Sequence, residues 1–120
     1  MEYMLLIYHN EEEAKSRPDA EKRRIFQEFA AFTQDITTSG KRKAGGPLEF
    51  TLTAATVRVR DGKTMVTDGP FAETKEQLGG YVLVEAKDLD EAISIAARIP
   101  SSKYGSTEVR GVNAVMKIDM

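Results

Sequence analysis

Asp68 is the side chain in this sequence whose setting most suggests chemistry. It follows the alternating segment Lys63-Thr64-Met65-Val66-Thr67 and directly precedes Gly69-Pro70-Phe71. A carboxylate there can accept backbone amides of its own turn, an Asx role. It can also stand at a pocket mouth as a general base or substrate anchor, which requires partial burial and a shifted pKa. His9 is the single histidine of the chain. It closes the first apolar segment, and a strand end beside a sheet-lined cavity suits a proton relay that titrates near neutrality. The alternative is a solvated histidine leading into the acidic loop Glu11-Glu12-Glu13. One imidazole with three successive glutamates lacks metal-ligand spacing, so no metal is expected.

The remaining candidates surround these two. Glu73, Lys75 and Glu76 form either a solvated loop of mixed sign or, with Glu73 or Lys75 turned toward Asp68, a polar cluster in an apolar cavity. Phe71 is a pocket wall or a core plug. Tyr81 offers a phenol, and Arg110 could grip a substrate carboxylate with two parallel hydrogen bonds. Arg58 and Arg60 belong on the wet face of a hairpin. Neither Gly45-Gly46-Pro47 nor Gly79-Gly80 has the spacing of a phosphate-binding loop, and no cofactor is expected.

Bulk composition narrows the classes. The 120 residues carry 17 Lys and Arg against 19 Asp and Glu, a net charge of −2 that leaves no electrostatic footprint for nucleic acid or an anionic membrane. With no cysteine, disulfide and thiol chemistry are excluded, which suits the cytosol. The start Met1-Glu2-Tyr3 is acidic where a signal peptide would be basic, and the apolar run over residues 3–8 is too short to span a bilayer. A single cytoplasmic domain over residues 1–120 is expected.

Periodicity then supplies the elements that must position these side chains. Tyr3-Met4-Leu5-Leu6-Ile7-Tyr8 is a strand apolar on both faces, as is Tyr81-Val82-Leu83-Val84-Glu85-Ala86. Residues 10–17 read as a polar loop. A helix over residues 19–39 follows from Ile25, Phe29, Phe32 and Ile36 on one face, with Gly40 as its left-handed terminator. Gly45-Gly46-Pro47 should break or bulge a strand. Asp61-Gly62 between two alternating segments predicts a hairpin over residues 56–67, because a type I′ turn needs positive φ twice. Residues 68–80 read as a structured loop. Asp88-x-x-Glu91 starts a second helix lined by Leu89, Ala92, Ile93, Ala96, Ala97 and Ile99, and Pro100 stops it. After a polar loop over residues 101–106, residues 107–110 form a strand and residues 115–118 a last edge strand.

This order predicts an α+β, ferredoxin-like βαββαβ fold with an inserted hairpin, both helices lying on one sheet face. The two doubly apolar strands occupy its centre. The face without helices then needs an apolar cover, and a second copy of the sheet is the simplest one, giving a homodimer.

The run Asp68-Gly69-Pro70-Phe71-Ala72-Glu73-Thr74-Lys75-Glu76-Gln77-Leu78-Gly79-Gly80-Tyr81 strongly resembles the DGPF-domain branch of the YCII-related family. The opening Tyr3-Met4-Leu5-Leu6-Ile7-Tyr8, Asp88-Leu89-Asp90-Glu91-Ala92 and Glu108-Val109-Arg110 look like the same family. The resemblance implies a dimeric α+β barrel. It also implies one of two roles: a cofactor-free enzyme on small aromatic or lactone-like molecules, dehydrochlorinase-like in one relative, or a regulatory partner of an alternative sigma factor. A His–Asp acid–base pair is proposed in one branch, yet the long first helix here has no histidine. On the enzyme reading an isomerase, lyase or dehydrochlorinase would use Asp68 as base, His9 or Tyr81 as relay and Phe71 as wall. On the other, a ligand-binding dimer works without turnover.

Overall fold

The computed structural model describes residues 1–117. The doubly apolar opening segment forms β1 (Glu2–His9). Two helices follow, α1 (Glu11–Ser16) and α2 (Asp19–Thr38), before β2 (Arg42–Pro47). A hairpin comes next, β3 (Ala55–Arg60) and β4 (Lys63–Asp68), then β5 (Gln77–Glu85), α3 (Leu89–Ala97) and β6 (Ser106–Gly111). A helical turn, α4 (Ala114–Lys117), closes the described chain. The main sheet has the order β2-β5-β1-β6 with every neighbouring pair antiparallel, and β3-β4 form a separate two-stranded sheet. This is the ferredoxin-like α+β arrangement with the hairpin inserted after the second core strand.

Pleating divides β1 and β5 between two environments, because alternate side chains point to opposite faces. Tyr3, Leu5, Ile7, Val82 and Val84 are buried and meet Phe32 and Ile36 of α2 and Ala92, Ile95 and Ala96 of α3, with Ile99 just beyond. On the other face, the antiparallel registers align Met4 with Leu83 and Arg110, Leu6 with Tyr81 and Glu108, and Tyr8 with Leu78 and Ser106. These side chains are half-buried at most, and the face carries no helix. The chain is correspondingly spread out. Its Cα atoms span 47 × 43 × 19 Å with a radius of gyration of 16.3 Å, against roughly 14 Å for a compact domain of this length.

Helix ends follow their capping residues. Gly40, at φ 76°, ends α2: its N–H reaches Thr37 O at 3.0 Å and the N–H of Lys41 reaches Ile36 O at 2.9 Å, the paired bonds of a Schellman motif. Asp88 caps α3 by accepting from the Glu91 N–H at 2.9 Å, and the Glu91 carboxylate accepts from Lys87 N–H at 3.1 Å. The expected hairpin is present, with Asp61 and Gly62 both at positive φ (52° and 74°).

The structure corrects six expectations. Residues 11–16 are helical rather than loop, because Asn10 caps them by accepting from the Glu13 N–H at 3.0 Å. β2 runs unbroken through Gly45-Gly46-Pro47; its irregularity lies between Arg42 and Ala44, and a Cβ on Gly45 would fall 2.9 Å from Tyr81 O, so glycine permits close strand approach. Leu78-Gly79-Gly80 belongs to β5, paired with β1. In α3 the buried stripe includes Ile95, whereas Leu89 and Ile93 are each 49% exposed. The polar segment after α3 contains a 3-10 turn, Pro100–Lys103. Val115 lies in the helical turn α4 and not in an edge strand, while Ile118 falls outside the described residues.

Candidate functional site

His9 is held at the helix-side end of β1 by a bulge. It pairs with Gln77, and the register slips between Ile7 and Tyr8 so that Gly79 becomes the extra residue of β5. A Cβ on Gly79 would lie 2.8 Å from the His9 Cδ2 and closer still to Nε2, so the imidazole occupies the room that a side chain would fill. The buried carboxylate of Glu11 lies nearby and accepts from the Thr51 N–H at 2.8 Å and the Thr51 hydroxyl at 2.7 Å. The Glu11 N–H donates to Gln77 Oε1 at 3.0 Å. Arg17, its side chain 15% exposed, stacks its guanidinium over the Tyr104 ring at 4.5 Å. Ser106 donates its hydroxyl to Glu76 at 2.8 Å.

Electrostatics in this cluster favour the neutral imidazole. Burial pushes the His9 pKa down, the Arg17 charge adds to that, and the carboxylates of Glu11 and Glu76 pull the other way. The imidazole nitrogens have no hydrogen-bond partner among the described residues. A half-buried, neutral imidazole with a free nitrogen is suited to accepting a proton. Burial also raises the Tyr104 phenol, so Tyr104 stays protonated.

The other sequence-derived candidates occupy different places. Tyr81 and Arg110 lie on the helix-free sheet face, flanking β1 in adjacent rows. Arg110 is already engaged, 2.5 Å from Glu108, whose other carboxylate oxygen accepts from the Tyr8 hydroxyl at 3.5 Å. Asp68 ends β4 and is exposed, and its side chain forms no hydrogen bond or ion pair among the described residues. The Asx turn is not realised, because backbone and threonine groups close that corner: Gly69 N–H to Ala54 O at 2.7 Å and Thr56 Oγ1 to Gly69 O at 2.9 Å. Phe71 is 81% exposed and so plugs no core within this chain. Glu73 and Lys75 are exposed too, although the Lys75 carbonyl accepts from Asn10 Nδ2 at 3.3 Å.

Within one chain, then, His9 is joined by Glu11, Glu76, Arg17 and Tyr104 rather than by Asp68, Glu73 and Lys75. Only one signal for this cluster was local. Asn10-x-x-Glu13 is a helix-start pattern, and it would have turned Glu11 from a loop residue into one fixed in a first turn. No group of three or more His, Asp or Glu side chains among the described residues is arranged to hold a metal ion. A shallow cleft of about 370 Å³ on the helix layer, between Phe32, Asp35, Arg98 and Pro100, contains none of the candidate residues.

Strand order and the placement of both long helices on one sheet face define a ferredoxin-like α+β protein. The YCII-related domain matches residues 1–115, and the chain belongs to the YCII-related family. An uncharacterised protein of Rhizobium meliloti strain 1021 is 38% identical over 112 residues, spanning 92% of this chain and 90% of that protein. Among solved structures, 5-chloro-2-hydroxyhydroquinone dehydrochlorinase from Burkholderia phenoliruptrix AC1100, in complex with 2,5-dihydroxybenzoquinone, aligns over 94% of each chain at 20% identity and a TM-score of 0.48. No helix among the described residues is long and apolar enough to cross a membrane.

Proposed function

We propose that the protein is a cytoplasmic homodimer, joined through the helix-free sheet face, that catalyses cofactor-free proton transfer on a small organic molecule. His9 is the proton acceptor, and the observation that carries this reading is its half-buried imidazole, wedged against Gly79 with a free nitrogen. The nitrogen takes a proton from carbon, and the C–H electron pair moves into an adjacent carbonyl as an enolate. Reprotonation at another carbon completes an isomerisation. Expulsion of a β leaving group, such as chloride, completes a lyase or dehydrochlorinase reaction. Asp68 is the second acid–base group and Phe71 a wall, both supplied from the loop side. Tyr81, Arg110, Glu73 and Lys75 contact the substrate.

The dimer reading is supported by Met4, Leu6, Leu78, Tyr81 and Leu83 lying together on a face that no helix covers. Gel filtration with light scattering should give twice the chain mass at micromolar concentration. Leu6→Arg should shift it to a folded monomer, and a monomeric wild type would refute the interface. For the chemistry, the dimer is incubated in D₂O with a panel of hydroxylated aromatics and unsaturated lactones, followed by NMR. The expected result is deuterium uptake at one carbon, or loss of a leaving group, that His9→Asn abolishes and Asp68→Asn reduces. Turnover equal to wild type in His9→Asn would overturn the assignment.

The dispersal of Asp68, Tyr81 and Arg110 over separate regions of one chain favours a second reading, a ligand-binding or sigma-factor-associated dimer without turnover. Saturable shifts of the His9 resonance with no exchange of substrate hydrogens would support that one instead.

A further inference from the structure

We propose that the β3-β4 hairpin is a dimerisation arm whose valine face packs against a second copy of this chain. This rests on the homodimer reading above and goes beyond it, since the doubly apolar central strands say nothing about the hairpin. Side chains directly opposite in an antiparallel pair share a face. The register therefore sets Val57 opposite Val66, Val59 opposite Thr64 and Ala55 opposite Asp68 on one side, with Arg58 opposite Met65 and Arg60 opposite Lys63 on the other. One face is an apolar row with a single carboxylate at its base, and the other is basic. Nothing among the described residues covers the apolar row: Val57, Val59 and Val66 are 60%, 58% and 64% exposed.

An isolated two-stranded hairpin is marginal in water, and a bare β-branched face invites aggregation. Yet this hairpin is firmly specified. Its turn has both residues at positive φ, and its base is pinned by the Gly69 N–H to Ala54 O bond and the Thr56 hydroxyl. The segment leading into it is gripped by buried Glu11 through both the amide and the hydroxyl of Thr51. A tightly anchored arm with an uncovered apolar face calls for a permanent cover.

Surface area indicates what the cover is. The chain exposes 8430 Å², whereas a folded monomer of 13.3 kDa should expose about 6,450 Å². The excess is about 2,000 Å². A standard interface buries about 800 Å² per partner and obligate homodimers about 1,000–2,500 Å². The excess thus matches an obligate interface that includes the hairpin as well as the sheet face. A second copy is always present in equal amount, and a two-fold axis covers both arms with a single type of contact. Such an arm would also bring Asp68, which shares the valine face, into the interface.

Hydrogen exchange and light scattering test this on the intact chain. Amides of residues 55–68 should be protected at high protein concentration and lose protection on dilution through the dissociation range. Val57→Asp combined with Val66→Asp should weaken dimerisation by about 100-fold or more, since two valines lose their burial. Arg58→Ser, on the opposite face, should change it by less than about threefold. Were the wild type dimeric but its hairpin amides unprotected and its affinity unmoved by the aspartates, the arm would be refuted while the sheet-face dimer stood. A wild-type monomer would remove both.

Discussion

Gly79→Ala tests the seat of His9 directly. Gly79 is not at positive φ, so the backbone accepts alanine, and the nearest obstacle is the imidazole. The new Cβ would sit 2.8 Å from Cδ2 and nearer to Nε2, closer than carbon atoms approach without something moving. The clash falls on the end of a side chain that can rotate, so the penalty belongs at the low end of overpacking, about 1 kcal/mol. Alanine also restricts the unfolded chain, worth about 0.4–1 kcal/mol in the opposite sense. The net change in the wild-type background should therefore be small, and the informative quantity is the coupling. In a His9→Ala background the clash disappears and Gly79→Ala should become stabilising by about 0.5 kcal/mol. The double-mutant cycle should thus return about 1 kcal/mol of interaction. Urea unfolding at fixed protein concentration measures it. Because the chain has one histidine, proton NMR reads its titration without assignment. In Gly79→Ala the imidazole leaves its partly buried seat, and its pKa should rise toward the ordinary value of about 6.5. A cycle that closes at zero together with an unmoved titration would show that Gly79 does not shape the His9 environment.

Glu11→Ala should destabilise the protein by about 2–4 kcal/mol in urea unfolding, since it strips a charged acceptor from the Thr51 amide and hydroxyl; Glu11→Gln, which keeps one acceptor, should cost about half as much. For pH dependence, the folded state holds His9 below its usual pKa, so the unfolded chain takes up the proton first. Stability should fall as pH drops from about 6.5 to the depressed folded value, and in this respect stay level above about 6.5. His9→Asn should remove that component of the slope, and an identical slope in the variant would refute the assignment. Gly40→Ala should cost about 1 kcal/mol, read as a melting-temperature drop of about 4 °C, because residue 40 sits at φ 76° where a Cβ is strained.

The parts of the fold that were legible in the sequence are those set by local patterns. The α2 stripe of Ile25, Phe29, Phe32 and Ile36 and its Gly40 stop, the Asp61-Gly62 turn and the Asp88 cap each involve residues within a turn or two of one another. The apolar pattern over residues 81–86 marks the strand, but β5 starts four residues earlier, at Gln77, because Gly79 and Gly80 look like loop until a partner strand is present. Pairing with β1 is what makes them strand, and that pairing joins residues some seventy positions apart. The same reason explains Gly45-Gly46-Pro47, which reads as a break in isolation and serves as the close-packed edge of a sheet. In residues 10–17 the run of charged side chains masks the Asn10 capping pattern that starts α1.

Residue pattern alone sets the βαββαβ core order and the two central strands apolar front and back, and hence the ferredoxin-like sheet with one face left open, but not the short helices α1 and α4. It also offered His9 and Asp68 as the groups able to move protons, since residue type fixes that capacity. Only tertiary structure decided which of these meet. Antiparallel pairing of β1 with β5 sets Gly79 under the imidazole and brings Glu11, Arg17 and Glu76 around it, while Asp68 is carried away on a hairpin. Proximity across a sheet depends on register and bulges, and these are settled by long-range pairing that no local spacing encodes.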